Sequence, residues 1–306
     1  IKLTADGKYL VAGGRYGSVG VWNTSTNRLS CKTELEKSDI QTLALYQNGK
    51  FLVTGGSGGT IGVYLFETME KLFQLEGHSG SVYSLLVSPE GKWLYSASYD
   101  RTIRAWNLED TSESSVLCTV RRGVSAMDLS YDGELLALAE KDKINVFHLE
   151  TGERTAVLKY HPASTELILC IKFSNSKEFL AVGGSKGVTV WHQGTWEEYL
   201  EIDNDLCYAE CLEFSSENCF LIAGFSEGLV KVWDLQGILH QKEILLGDLG
   251  SQVTAVCTTK AENHLVVYAL GENSIFSTKL SFQTSSFRFL GNSPVKKLLF
   301  SNSNLL

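Results

Sequence analysis

The chain repeats itself. Seven β-branched segments recur along it: SVGVW, TIGVYL, TIRAWNL, INVFHL, VTVWH, LVKVWDL and SIFSTKL. All but the last carry an aromatic residue at a common reference position. Their reference positions are Trp22, Tyr64, Trp106, Phe147, Trp191, Trp233 and Thr278, spaced by 42, 42, 41, 44, 42 and 45 residues. Self-similarity at a fixed period of roughly 40 residues means one supersecondary unit copied along the chain, each copy covering its apolar face with the next. No linker and no break in composition interrupts the series.

Within a unit the order of segments is constant. An apolar alternating run (SVYSLLVS at 81–88, CLEFS at 211–215) leads to a polar turn: ADGK, QNGK, PEGK, YDGE, SNSK or SSEN. A second apolar run follows (YLVAGG, FLVTGG, WLYSAS, FLAVGG), then a glycine-rich or polar turn, the aromatic-ended run, a loop, and a last short run such as KLFQL or TAVLKY. Runs this short, rich in Val, Ile and aromatics, are strands, and no apolar pattern of helical period is present. Four antiparallel strands per unit predict an all-β fold, a seven-bladed β-propeller of four-stranded blades. The propeller is expected over 1–290. Residues 291–306, with SPVKKLLFS at 293–301, start a further unit or close the ring, which leaves an eight-bladed ring as the alternative. The chain opens on Ile1 partway through a first strand, which suggests a piece of a larger protein.

Three pentapeptides fit G-x-S-x-G, the nucleophile elbow of serine hydrolases: GGSGG at 55–59, GGSKG at 183–187 and GFSEG at 224–228. An elbow needs a strand entering and a helix leaving. Here TIGVYLF, VTVWH and LVKVWDL leave, and all read as strands. The glycines serve positive φ and close packing of neighbouring units, and the serines are turn residues. Lysines follow glycine at 8, 50 and 92, but Tyr9, Phe51 and Trp93 come next, so no phosphate loop is present.

The net charge of −8 disfavours contact with phosphate backbones and anionic membranes. Seven cysteines, odd in number and mostly inside apolar segments, read as reduced thiols in an intracellular protein, cytoplasmic or nuclear. Cys207, Cys211 and Cys219 lie close together without a C-x-x-C pair or a nearby histidine, so core packing is preferred to zinc. No metal or cofactor is expected.

The third unit, EGHSGSVYSLLVSPEGKWLYSASYDRTIRAWNL, resembles the WD-repeat family: Gly77-His78 before the first strand, Asp100 in the tight turn, and Trp106-Asn107 at the end. Unit six ends in the Trp233-Asp234 dipeptide itself. The resemblance implies that His78, Asp100 and Trp106 belong to a hydrogen-bonded chain that ties a blade together. The family places its serine or threonine three residues before the acid, which here is Ala97, flanked by Ser96 and Ser98. On that alignment a catalytic reading lacks its nucleophile, and Trp106 needs another acceptor. The other units have lost the network and are expected to depend on apolar packing.

Propellers of this family act as scaffolds and readers of peptide motifs, so the resemblance implies a noncatalytic platform for proteins or peptide segments. No nucleic-acid or membrane partner is expected, and the oligomeric state is left open. By alignment the partner-binding face holds Arg15, Asp39, Gln41, Ser81, Tyr83, Tyr99, Arg121, Arg122 and Ser125. Tyrosines beside arginines suit an acidic or phosphorylated segment. The alternative function is a small-ligand sensor or enzyme using the central channel.

Overall fold

The computed structural model describes residues 1–26, 28–120, 123–160, 167–203, 207–235, 243–248, 252–261, 264–271, 274–283, 288–292 and 296–299. Every repeat becomes an antiparallel sheet whose strands lie side by side in chain order. The first four sheets are β1 (Lys2–Leu3), β2 (Tyr9–Gly13), β3 (Ser18–Asn23) and β4 (Arg28–Glu34); β5 (Ile40–Tyr46), β6 (Phe51–Gly56), β7 (Ile61–Leu65) and β8 (Glu70–Leu75); β9 (Val82–Val87), β10 (Trp93–Ser98), β11 (Thr102–Asn107) and β12 (Ser114–Thr119); and β13 (Ala126–Leu129), β14 (Leu135–Glu140), β15 (Lys143–His148) and β16 (Arg154–Lys159). Two more follow: β17 (Ile168–Phe173), β18 (Phe179–Gly184), β19 (Gly187–His192) and β20 (Glu198–Asp203); then β21 (Ala209–Phe214), β22 (Phe220–Phe225), β23 (Leu229–Asp234) and β24 (Glu243–Asp248). The fold is an all-β propeller type with four-stranded antiparallel blades.

The seventh sheet differs. It contains β25 (Ala255–Ala261), β26 (His264–Gly271), β27 (Ser274–Gln283), β28 (Arg288–Asn292) and β29 (Lys296–Leu299). Both β28 and β29 pair antiparallel with β27, β28 along Leu280–Gln283 and β29 along Ser274–Ser277. Of the strand foreseen at 293–301 the described part, β29, pairs with the third strand of this sheet.

A single device closes the turn between first and second strands. In five sheets a buried hydroxyl accepts the N–H of the residue five positions on: Thr4 from Tyr9, Ser88 from Trp93, Ser130 from Leu135, Ser174 from Phe179 and Ser215 from Phe220, at 2.9–3.2 Å. The turn reverses through positive φ at Gly7, Gly49, Gly91 and Gly133, a place taken in later sheets by Lys177 and Asn218.

The chain divides into two compact units, Ile1–Leu129 with Glu150–Gly152, and Ser130–Leu149 with Glu153–Ser301. In each unit burial falls from the second strands outward. β6, β10, β18 and β22 are almost wholly buried, whereas β4 and β12 are almost wholly exposed. The cores form between successive sheets. In the first unit Val53, Ile61, Val63 and Leu75 pack with Val82, Leu85, Leu94 and Trp106. In the second, Ala181, Val188 and Val190 pack with Ala209, Leu212, Leu221 and Trp233.

That packing explains the glycines. A Cβ on Gly55 would lie 2.8 Å from Val82 Cγ1, one on Gly183 3.0 Å from Ala209 Cβ, and one on Gly224 2.4 Å from Val253 Cγ1. Gly55 and Gly183 face the first strand of the following sheet, and Gly224 faces the segment leading into it. The three closing glycines, Gly59, Gly187 and Gly228, all have positive φ. Cys170 and Cys211 sit at the same contacts, their thiols directed at the carbonyls of Ala209 and Val253 at 3.4 and 3.5 Å. These are packing roles. Among the described residues no metal-holding group of His, Cys, Asp or Glu is present, and no helix is long and apolar enough to cross a membrane.

Candidate functional site

The polar network of the third sheet is complete, and a residue outside the expected set completes it. His78 Nδ1 lies 2.8 Å from Asp100 Oδ2, His78 Nε2 lies 2.7 Å from Ser96 Oγ, and the Trp106 indole N–H donates to Ser96 Oγ at 2.8 Å. The expectation that Ala97 leaves the chain without a hydroxyl is corrected. Ala97 occupies the place of Gly13 and Gly55, which face the first strand of the following sheet at Ile40 and Val82. Side chains alternate along a strand, so Ser96 points the other way, towards His78 and Trp106.

The proton positions follow from the donors. A carboxylate only accepts, so Nδ1 of His78 carries the hydrogen donated to Asp100. Nε2 then accepts the Ser96 O–H, which leaves a serine lone pair for the indole. Burial holds His78 below its ordinary value, so the ring is neutral. For Asp100 the hydrogen bonds from Thr102, His78 and the amides of Thr102 and Ser79 outweigh burial and hold the carboxyl well below the usual carboxylate range.

Asp, His and Ser in line at these distances have the geometry of a hydrolytic triad. Their surroundings differ from one. Ser96 and the His78 side chain are both 0% exposed, and the serine oxygen is occupied from both sides. The arrangement clasps four segments of one sheet: the loop before β9, β10, the turn after it, and β11.

A second network, absent from the sequence expectations, lies in the second sheet. The Tyr64 hydroxyl reaches Glu36 Oε1 at 2.5 Å and the Leu35 carbonyl at 2.9 Å, and Thr54 donates to Glu36 Oε1 at 3.2 Å. Lys71 Nζ stands 3.6 Å from the same carboxylate oxygen. Burial and the neighbouring Glu36 push the Tyr64 phenol well above its ordinary value. The expectation that units other than the third rely on packing alone is corrected for this sheet.

The serines of the three G-x-S-x-G turns touch backbone groups. Ser57 N–H donates to the Asp39 carbonyl, Ser185 Oγ accepts the Leu167 N–H, and Ser226 Oγ accepts the Tyr208 N–H. Each serine ties its turn to the segment entering the first strand of its own sheet.

The residues expected at a partner-binding face fall at the strand ends of the first unit. Tyr83 and Tyr99 meet edge to face, ring centroids 5.4 Å apart. The Tyr83 hydroxyl accepts the Val124 N–H at 3.0 Å, and burial pushes its phenol up to about 12. Tyr99 is 76% exposed. Ser81 joins them through its carbonyl, which accepts the Tyr99 N–H, and its hydroxyl donates weakly to the Ser57 carbonyl. Asp39 accepts the Tyr16 N–H at 2.8 Å, which makes it a strut for the turn rather than an open charge. Arg15, Gln41 and Ser125 are exposed. Arg121 and Arg122 lie outside the described residues. Sequence reasoning missed Tyr16, which is 72% exposed at φ 55°. Its signal was a bulky residue where unit three has the turn acid.

The class of protein is thus a propeller type of four-stranded blades, the third of them tied by a buried His–Ser–Trp chain. Comparison with known proteins agrees. The family description "WD domain, G-beta repeat" matches residues 69–107, 152–192 and 207–234. These three stretches are WD repeats. It is 27% identical over 161 residues to "p21-activated protein kinase-interacting protein 1-like" of Danio rerio, covering 52% of this chain and 42% of that protein. It is 25% identical over 148 residues to "Small ribosomal subunit protein RACK1y" of Oryza sativa subsp. japonica, covering 46% and 43%. It is 34% identical over 104 residues to "Autophagy-related protein 18" of Saccharomyces cerevisiae, covering 33% and 20%. The matches span less than half the length of each relative.

Proposed function

We propose that the chain is a noncatalytic interaction platform whose first unit reads a segment of a partner protein at the Tyr83–Tyr99 strand end. The observation that supports this best is the tyrosine pair itself. Tyr83 is anchored by the Val124 amide and holds Tyr99 edge to face, while Tyr99 stays largely exposed. A rigid aromatic presented at low entropic cost is a typical interface anchor. With Arg15 exposed on the same unit and Arg121 and Arg122 following in the sequence, the partner segment is proposed to be acidic or phosphorylated. Two relatives, named as an interacting protein of a kinase and as a ribosomal subunit protein, are of this assembling kind. We read each sheet as a blade, with β28 and β29 as two halves of the outer strand of the seventh. The protein is proposed to act in the cytoplasm or nucleus as part of a larger protein or complex.

The test is affinity capture from the source cell with the parent, Tyr99→Ala, and Tyr131→Ala as a control. Tyr131 is also exposed, in a turn between first and second strands. Partners lost with Tyr99→Ala and kept with Tyr131→Ala support the reading, and phosphatase treatment of the extract tests the phosphorylated form. Identical capture by all three would discard the tyrosine surface.

A further inference from the structure

The outer strand of every sheet is an open edge, and such edges are normally guarded by charge. Six of the seven are. β4 carries Arg28, Lys32 and Glu34; β8 carries Glu70 and Lys71; β16 carries Arg154 and Lys159; β20 carries Glu198, Glu201 and Asp203; β24 carries Glu243 and Asp248; β28 carries Arg288. β12, SSVLCT, has no charged residue. Val116 and Leu117 at its centre are 46% and 40% exposed, and the strand is paired only with β11.

The charges lie at its two ends instead. At the N-terminal end the turn from Asn107 to Glu113 carries exposed Glu109, Asp110 and Glu113, with Glu113 held by the Asn107 amide at 2.6 Å. At the C-terminal end exposed Arg101 lies beside the strand, its carbonyl accepting the Val120 N–H at 2.9 Å. An antiparallel copy of this same edge would bring the acidic turn of each chain to the Arg101 end of the other. By contrast, self-pairing of β16 would bring its Arg154 end against the Lys159 end of the other copy.

We propose that the protein self-associates through β12, edge to edge, as a two-fold dimer whose two sheets join into one. A two-fold normal to a sheet keeps every side chain on its own face, so the axis passes through Val116, which then faces Val116 of the partner subunit. Leu117 is the extra residue of a bulge against β11, and the joined sheet gains a Val–Val cross-strand contact. Six residues per chain bury less than the roughly 1,600 Å² of a standard interface, so the dimer is weak and concentration-dependent.

Sedimentation velocity of the 306-residue chain over a wide concentration range tests this, with Val116→Lys as the edge-blocking variant. The residue is exposed, so the variant folds. The expected result is a monomer–dimer equilibrium weakened about tenfold or more by the lysine. Register is read separately. Under mild oxidation Val116→Cys should give a dimer disulfide-linked between the two substituted positions, whereas Arg28→Cys on β4 should not. A chain that stays monomeric throughout, or a dimer indifferent to Val116→Lys, overturns the proposal, as does a cross-link mapped elsewhere.

Discussion

Glu36 stands in the second sheet where His78 stands in the third. Each lies 18 residues before the hydroxyl it contacts, Thr54 or Ser96, and that hydroxyl precedes Tyr64 or Trp106 by ten. One architecture has been filled by two chemistries. A neutral histidine accepts from serine and leaves serine to accept from an indole. A carboxylate accepts directly from both a threonine and a phenol.

Ser96→Ala removes the acceptor of a fully buried indole N–H and the partner of His78 Nε2 together. Leaving buried groups unpaired costs about 1–3 kcal/mol. Urea denaturation should show a lower midpoint of that size with an unchanged slope. Ser98→Ala should cost less, because its hydroxyl serves only the Gly80 carbonyl and the Asp100 amide.

Acid should destabilise the fold in two stages. Burial lowers the folded-state pKa of His78 from 6.5, so its contribution is whole above about 6.5 and is lost as pH falls towards the folded value. Asp100 is also lowered, from 3.8, so its contribution is lost only at more acid pH. Unfolding midpoints from pH 8 down to pH 3 should decline in that order, and His78→Gln should flatten the first stage. A parent midpoint constant from pH 7 to pH 5 would contradict a neutral buried histidine.

Tyr64→Phe keeps the ring and removes one hydroxyl, leaving Glu36 with Thr54 and Lys71. The expected loss is about 1 kcal/mol. Pairing it with Thr54→Val in a double-mutant cycle should give a coupling energy different from zero, since both hydroxyls meet the same carboxylate oxygen. Strict additivity would mean that the two hydroxyls act separately.

Gly224→Ala places a methyl 2.4 Å from Val253 Cγ1 and 2.7 Å from Cys211 Sγ. Overpacking of this kind costs about 1–3 kcal/mol. Gly152→Ala meets no atom within 4 Å, but Gly152 has φ 69°, so its cost should be the smaller one of backbone strain. Thermal unfolding of the two variants should separate them in that order.

The repeat was legible in the chain because each unit must present the same alternation to its neighbours. Period, strand order, turn positions and the structural role of the G-x-S-x-G segments all followed from local pattern. Glycines at the second-to-third turn could be read as close-packing positions before any contact was known. The network was legible only in part. His78, Asp100 and Trp106 stand out by type and spacing, but alignment on spacing alone selected Ala97 over Ser96. The face of a strand side chain inverts with each residue, and the small residue facing the next sheet sits one place from the hydroxyl facing the histidine.

What the sequence determined by itself is therefore the architecture: strands, their order, and the class of propeller, since these rest on local periodicity and turn chemistry. Only the tertiary structure decided which polar groups are satisfied and which surfaces stay open. Glu36, Thr54 and Tyr64 look unrelated along the chain until two strands and a loop bring them to one carboxylate. Tyr83 is half-buried and Tyr99 open for a similar reason: the depth of a side chain depends on the neighbouring sheet, which no single repeat contains.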